Sequence, residues 1–566
     1  MKRTVWVVLL VAGVLSASWG AYRAAVAPPE PELSRFIPPG ALLYLQAKDF
    51  SSLLADWDKS QEKGSWLSSK NYEVFSKSRL FLRLKDADTQ FSSAAGVPAN
   101  SSLLRQVAGR QTALALYDIG KLQFLYITRL SSGDAMQSTL WQTRSKFETR
   151  AAGGVTFFFK QDADSGREVA FAVTGDCLIL ATREDLMAGA LELLAGGKNP
   201  SMETEAWWSR PVAAAGPAGD LRMLLNLEKI VPSPYFRSYW IQQNITDMKQ
   251  YTASVSDLTR SNGEYREERT LLRKEVTADK PVDEKGSAAV SEILRLVPTS
   301  TGIYEAKANP DPKDSLELVT VKILAPHLGP SAPVKLAPEV QLGNGETGSS
   351  SDLETRIDQP LVQNSVAIDD RTALRDVFAK NHVLAQLQLQ GTDREPEGVF
   401  VRIHSAVVFL GESNWDEQAA RAALVEFVRP EFTSGQLGVG WKAGSGYSVL
   451  DGLWPLAVAV RGKYLLISDD ASFLSAALAS MNQKTTDSPT FLAAGFRHQQ
   501  EGENFVALTK LLDLATQTSA PGATPEFLSE NIASLSFVLK NVSAEKVVVR
   551  NAADRQTQTV TYSWSR

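Results

Sequence analysis

Few side chains in this 566-residue chain are spaced for chemistry. The histidines are His327, His382, His404 and His498, and none has a second histidine three or four residues away. The His-Glu-x-x-His arrangement that places two zinc ligands on one helix face is therefore absent. His382 and His404 fall at strand edges, from which they could approach each other in space, and a satisfied or exposed histidine is the favoured reading of both over a zinc ligand. A Ser-His-Asp set need not be local in sequence, but nothing selects one serine from the many.

Three acidic clusters invite calcium or acid–base chemistry: Asp86-Ala87-Asp88, Asp162-Ala163-Asp164-Ser165-Gly166 and Asp469-Asp470. Calcium takes about six to eight oxygen ligands, and no cluster offers the full loop with its distant glutamate. Asp162 to Gly166 lies between two strands, where Asp and Gly are ordinary turn formers. Asp469-Asp470 opens a helix, where a carboxylate caps free amides. Gly438-Val439-Gly440-Trp441-Lys442-Ala443 fits the dinucleotide fingerprint in letters only. That fingerprint needs a strand before it and a helix opening inside it, and here Gly444-Ser445-Gly446 and a strand follow. Trp207-Trp208 and Trp441 are candidates for sugar stacking, with core packing the better reading, as for Phe491 in the comparable position. Cys177, the single cysteine, sits in the strand-like run Asp176-Cys177-Leu178-Ile179-Leu180 and reads as a small core residue. No catalytic, cofactor-binding or metal-ligating residue is assigned.

The elements that carry these residues are clearer than the chemistry. Met1-Lys2-Arg3 precedes the uncharged, strongly apolar run Thr4 to Tyr22. As a helix it spans roughly 28 Å, close to the hydrocarbon thickness of a bilayer. Lys2 and Arg3 keep that end cytoplasmic, so the bulk is expected outside the cytoplasm. The competing reading is a cleaved signal peptide, with small residues at Ser16-Ala17-Ser18 and Trp19-Gly20-Ala21. Residues 28–33 form a proline-rich spacer after this anchor of residues 1–27.

The chain then repeats its own grammar. Phe36-Ile37-Pro38-Pro39-Gly40-Ala41-Leu42-Leu43-Tyr44 aligns without gaps to Leu296-Val297-Pro298-Thr299-Ser300-Thr301-Gly302-Ile303-Tyr304. Val169 to Leu180 aligns likewise to Leu456 to Ile467, and each reads as strand, two-residue turn opening on glycine, strand. Helices follow at Thr182 to Leu194, with a capping box from Thr182 and Asp185, and at Asp469 to Met481. Met223-Leu224-Leu225-Asn226-Leu227 pairs with Val506-Ala507-Leu508-Thr509-Lys510, and strand-rich segments close both halves at about 251–274 and 532–564. Two strands and a helix precede each hairpin: Thr112 to Tyr117, Leu122 to Thr128 and Ser132 to Phe147, against His382 to Leu389, Val399 to Phe409 and Asn414 to Phe427.

The expected fold class is α+β: one N-terminal transmembrane helix, then two tandem related lobes, each an antiparallel meander sheet with helices packed on one face. The first lobe covers residues 34–275, a linker 276–289, and the second lobe 290–566 with a mobile insertion at about 327–352.

The segment Phe36 to Phe50, with Asp49 and Ser51-Ser52-Leu53-Leu54 after it, resembles a family of uncharacterised bacterial exported proteins, the domain of unknown function 3352. The resemblance implies a membrane-anchored envelope protein and carries over no activity and no functional residue.

Composition narrows the function classes. Fifty-nine basic against 64 acidic residues give a net charge of -5 and a pI near 5.7, which leaves no basic field for nucleic acid. A 44% hydrophobic share with mean hydropathy -0.14 excludes both wholesale disorder and a polytopic membrane protein. The function expected is a non-enzymatic interaction or scaffold module in the cell envelope. Its partners are the membrane, through the N-terminal helix, and other envelope proteins, with no cofactor. The alternatives are a carrier or sensor of a lipid or other apolar ligand, and a hydrolase with a site assembled from distant residues. Secretion to the periplasm after signal cleavage is the alternative location. Intact mass spectrometry of the protein from cells distinguishes the two N-termini: a retained anchor gives 61.7 kDa, and cleavage near Ala21 gives a smaller mass.

Overall fold

A computed structural model describes residues 31–234, 248–261, 263–274, 284–324, 372–394, 401–432, 440–450, 456–482, 489–504, 506 and 542–564. The apolar run Thr4 to Tyr22, most of the linker and the insertion at 327–352 lie outside the described residues. Among the described residues no helix is long and apolar enough to cross a membrane.

The strands are β1 (Leu43–Ala47), β2 (Thr112–Asp118), β3 (Gln123–Arg129), β4 (Glu148–Ala152), β5 (Val155–Gln161), β6 (Glu168–Thr174), β7 (Cys177–Ala181), β8 (Leu221–Asn226), β9 (Tyr251–Ser261) and β10 (Glu264–Arg273). Ten more follow: β11 (Ile303–Ala308), β12 (Val383–Arg394), β13 (Val401–Gly411), β14 (Trp441–Ala443), β15 (Ser448–Leu450), β16 (Leu456–Arg461), β17 (Tyr464–Ser468), β18 (Leu492–Phe496), β19 (Val542–Asn551) and β20 (Arg555–Trp564). All pair antiparallel in one sheet, in the order β4-β5-β6-β7-β3-β2-β1-β8-β9-β10-β20-β19-β18-β11-β12-β13-β17-β16-β15-β14. Read outward from the centre, the two runs of ten have the same order.

The runs meet at β10 and β20. Glu264 faces Ser563 at one end of this ladder, Leu272 faces Arg555 at the other, and Glu268 faces Thr559 at its midpoint. Each strand therefore sets its start against the end of its partner, as two copies around a dyad would. The seam is polar: Arg269 holds Glu267 at 2.6 Å, Ser256 donates to Glu267, and Arg273 reaches Asn551 at 3.1 Å. Every apolar cluster lies wholly on one side of it.

Local sequence explains the turns. Gly175 and Gly462 both take φ 58 at the first position of the β6–β7 and β16–β17 turns, a left-handed value that glycine adopts without strain. Gly153 and Gly154, at φ 56 and 77, close β4 onto β5. A Cβ on Gly153 would stand 2.7 Å from the Leu191 carbonyl oxygen, so only glycine fits.

The helices are α1 (Phe50–Lys59), α2 (Gln61–Leu67), α3 (Lys70–Ser76), α4 (Arg79–Ala95), α5 (Ser101–Val107), α6 (Glu184–Leu194), α7 (Ala206–Ala214), α8 (Glu284–Ile293), α9 (Pro312–Val319), α10 (Thr372–Asn381), α11 (Glu417–Phe432) and α12 (Ala471–Ala479). They cover both faces of the sheet, which corrects the expectation of helices on one face. Leu125, Ile127, Ala170, Ala172 and Ile179 meet α6 and α7, while Tyr126, Val169, Phe171, Leu178 and Leu180 meet α4 and α5. In the second run Ala406, Val408 and Leu466 meet α8 and α12, while Val407, Phe409, Leu465 and Ile467 meet α9, α10 and α11. The physical sign was the unbroken apolar run: β7 and β17 are buried at every position, which a one-sided strand is not.

Three smaller corrections follow. The helix expected over Ser132 to Phe147 is broken into turns at 132–137, 139–142 and 144–146, where Ser138 ends the first and caps the second. Thr182 caps no helix; its hydroxyl accepts from the Phe124 amide, and α6 starts without a side-chain cap. The counterpart of β8 in the sheet is β18 at Leu492–Phe496, beside β11 and β19, not Val506 to Lys510, of which 507–510 lie outside the described residues.

One buried ion pair locks the first run. Arg222 on β8 donates to both oxygens of Asp257 on β9, at 2.7 and 2.8 Å, and both side chains are at least nine-tenths buried. Asp257 also accepts from the Gly219 amide at 3.0 Å, and Arg222 reaches the Gly216 carbonyl. Removing one partner leaves a buried charge alone. Asp257→Ala is expected to lose about 3–5 kcal/mol in urea unfolding, with Arg222→Met added to Asp257→Leu recovering part of the loss.

Candidate functional site

A polar cleft gathers four separate pieces of chain. The α4 face supplies Arg83, Asp86 and Gln90, the β2–β3 turn Lys121 and Leu122, the β5–β6 turn Ser165, Arg167 and Glu168, and the entry to α6 Thr182 and Arg183. Its volume is about 470 Å³. Arg167 ties the pieces together, donating to the Lys121 carbonyl at 2.6 Å and to the Gln90 side-chain oxygen at 3.1 Å. Burial lowers the pKa of that guanidinium from its ordinary value. Arg83 donates to the Gly120 carbonyl at 2.5 Å, and Glu168 accepts the Glu184 amide at the head of α6 at 3.0 Å. Leu122 takes φ 48, uncommon for a leucine, at the rim.

Two of the acidic clusters singled out in the sequence thus meet at one place. Asp86 lines the cleft, and the Asp162 to Gly166 turn forms its wall. They do not form a metal centre: among the described residues no group of three or more His, Cys, Asp or Glu side chains is arranged to hold an ion. Asp162 acts as the turn former expected of it. Its Oδ1 accepts from the amides of Asp164 and Ser165 at 3.0 and 2.9 Å, and Oδ2 accepts from the Ser93 hydroxyl at 2.8 Å. The hydroxyls of Ser165 and Thr182 are likewise bonded, to Asp162 and to the Phe124 backbone. Four cationic side chains against two carboxylates suit the holding of a polar or anionic group by hydrogen bonds rather than proton transfer to it.

The other sequence candidates fall elsewhere. His382 takes φ 46 just past α10, the left-handed position that ends many helices. His404 on β13 stands opposite Gly391, while His382 adjoins Val383 opposite Gly411, so the two histidines lie far apart along the β12–β13 ladder and the approach that the sequence left open does not occur. That separation is about 23 Å at strand spacing. His404 is bracketed by Asp393 at 2.9 Å and Asp470 at 3.4 Å. Asp470 caps α12 through the amides of Ser472 and Phe473, the helix-opening role read from sequence, whereas Asp469 accepts from the Ser405 amide on β13 and caps no helix. His498 is half-buried beside Phe496, and His327 lies outside the described residues.

Around Gly440 no helix opens. Trp441-Lys442-Ala443 forms the edge strand β14, and Arg421 lies over the Trp441 ring, 5.6 Å from its centroid. Trp207 is buried on α7 with its indole N–H donating to Glu205, and Trp208 packs beside it at the margin of the same core. Cys177 is buried, and desolvation together with Asp176 pushes its thiol up to about 12, so it stays protonated.

The cleft residues Arg83, Lys121, Arg167 and Arg183 were not singled out from sequence. They come from one helix and three turns, and no spacing links them.

No known protein family and no curated protein matches the sequence. Among solved structures the chain is similar in part to TP0453. Crystal form I matches at TM-score 0.26 and 11% identity, over 45% of this chain and 81% of that one. Crystal form III matches at TM-score 0.24 and 10% identity, over 46% and 86%.

The Asp162 turn makes a pH prediction. Backbone and side-chain donors, led by the Ser165 amide, hold its carboxyl at about 2, below the ordinary 3.8. Its contribution is therefore complete above the ordinary value and is lost as pH falls through about 2. Carbon-detected NMR titration is expected to place the Asp162 midpoint near that value, and Asp162→Asn to remove this part of the acid dependence.

Proposed function

We infer that this chain is an envelope protein held by its Thr4 to Tyr22 segment in a membrane, presenting two related α+β lobes outside the cytoplasm as a non-enzymatic interaction module. The lobes are residues 34–275 and 290–566, related by tandem duplication. The observation that carries this reading is the repeated strand order around the polar β10–β20 ladder, with separate apolar cores on its two sides. Two copies of one unit joined through edge strands double the outer surface while leaving each core intact. The apolar Thr4 to Tyr22 run, flanked by Lys2 and Arg3, supports the anchor and its orientation.

A second reading, a carrier of an apolar ligand, is favoured by one groove. It lies between α1 and α5, is lined by Leu54, Ala55 and Ala108 with Asp58 and Arg105 at its rim, and holds about 430 Å³.

In-cell cross-linking of tagged full-length protein, with mass spectrometry of everything attached, separates the readings. Reproducible recovery of a few envelope proteins is expected. Recovery of the protein alone, with a co-purified lipid in its native mass spectrum, would establish the carrier instead.

A further inference from the structure

We propose that helices α1 to α4 lie on an anionic lipid surface, forming a second contact with the membrane beside the anchor. The proposal rests on the anchored reading above and extends it to a part of the folded chain.

The arm is poorly joined to the rest of the molecule. Neither α1 nor α2 buries a residue. The aromatic rings of Trp66, Tyr72, Phe75 and Phe81 stack among themselves at 5.5 to 6.2 Å and form a small core of their own. Only the far end of α4 enters a cluster of the sheet, through Phe91, Ala94 and Ala95. Large apolar side chains are instead turned outward. Trp57, Leu67, Leu82 and Leu84 are 45 to 55% exposed, and they are four of the nine such residues among those described.

Charge selects the partner. The excess is confined to the middle of the arm: from Lys59 to Lys85 there are seven basic and two acidic residues, a net +5 within a chain of net -5, while Asp56, Asp58, Asp86 and Asp88 stand at the two ends of that segment. Exposed Trp and Leu among Lys and Arg are the composition of helices that rest in the headgroup layer, and anionic lipids attract such segments.

Position brings that surface within reach. The Pro31 carbonyl accepts from Arg129 at 2.7 Å, and the Arg129 carbonyl accepts from the Arg110 amide. The neighbouring Gly109 carbonyl accepts from the Ser51 amide in the first turn of α1. The chain thus enters the fold next to the root of the arm. Residues 23–30, the only link to the apolar run, extend to at most about 28 Å. An anchored chain cannot carry Pro31, close to the root of the arm, further than that from the bilayer.

The test uses full-length protein in nanodiscs, in a Cys177→Ala background, with a spin label at Leu67→Cys, Leu82→Cys or, as a control on β8, Leu221→Cys. In discs containing phosphatidylglycerol, the ratio of oxygen to nickel-chelate accessibility at positions 67 and 82 is expected to rise several-fold over that at 221. Discs of phosphatidylcholine alone should leave it unchanged. Salt at about 1 M, which shortens screening to about 3 Å, should reverse the rise in the same folded protein. Lys70→Glu, Lys77→Glu and Lys85→Glu together should abolish it while the chain stays in the disc. Water-like accessibility at 67 and 82 in a chain that remains in the disc overturns the proposal alone. Release of the chain from the disc overturns the anchored reading and the proposal with it.

Discussion

The antiparallel ladder between β10 and β20 is the one connection on which the whole architecture depends. Among the described residues no buried apolar cluster bridges it, since each draws its residues from one side. What holds the two runs as one sheet is backbone pairing from Glu264↔Ser563 to Leu272↔Arg555, helped by the Tyr265–Trp564 ring contact at 5.5 Å and the Arg273–Asn551 hydrogen bond. A ladder of this kind is directional, so it fixes orientation and register where a greasy interface would tolerate sliding. Its side chains are mostly Arg, Glu, Gln and Thr, with Tyr265, Leu271, Leu272, Val560, Tyr562 and Trp564 among them. The seam consequently orders two bodies without merging their cores.

Within each run the controlling constraint is the burial of central strands on both faces. A strand exposed on one side alternates; β7 reads Cys-Leu-Ile-Leu-Ala and β17 Tyr-Leu-Leu-Ile-Ser, with every position buried. Such strands demand a cover on each side, and the chain supplies one by leaving the sheet between β1 and β2 and again between β11 and β12. The helices of those excursions, joined by α11 in the second run, cover one face, and the helix after the β6–β7 or β16–β17 hairpin, with α7 or α8 beside it, covers the other. This is why the arm exists: α1 to α4 belong to an excursion of which the far end of α4 and the following α5 supply the cover.

Much of this order was legible in the sequence because hairpins are local. Gly175 and Gly462 announce their turns, and the apolar pairs that flank them set the register. Pro38 and Pro298 lead into β1 and β11, which hold equivalent places in the two runs. The single-face error came from reading hairpin strands for their turns and not for their missing alternation. The break at Ser138 was hidden because serine at a helix start and serine inside a helix look alike until the backbone is seen. Assigning Val506 to Lys510 to the place of β18 failed for another reason: five-residue apolar strings are common, and only the pairing with β11 identifies the true one. The cleft was illegible in principle, since Arg83, Arg167 and Arg183 are joined by topology alone.

The free ends of the sheet show why association through the seam stopped at two runs. A sheet grows wherever an edge strand offers unpaired amides to another chain. At one end β4 carries Glu148 and Arg150, with Arg150 paired also to Glu184 on α6, and it ends at the glycine turn that only glycine can make. At the other end β14 has only three residues, with Arg421 over Trp441. Short, charged edges of this kind resist further pairing. β10 and β20, by contrast, are ten residues each and pair with each other from Glu264↔Ser563 to Leu272↔Arg555. The outer strands are thus short or charged, while the inner edge of each run is taken up by the other along the β10–β20 ladder.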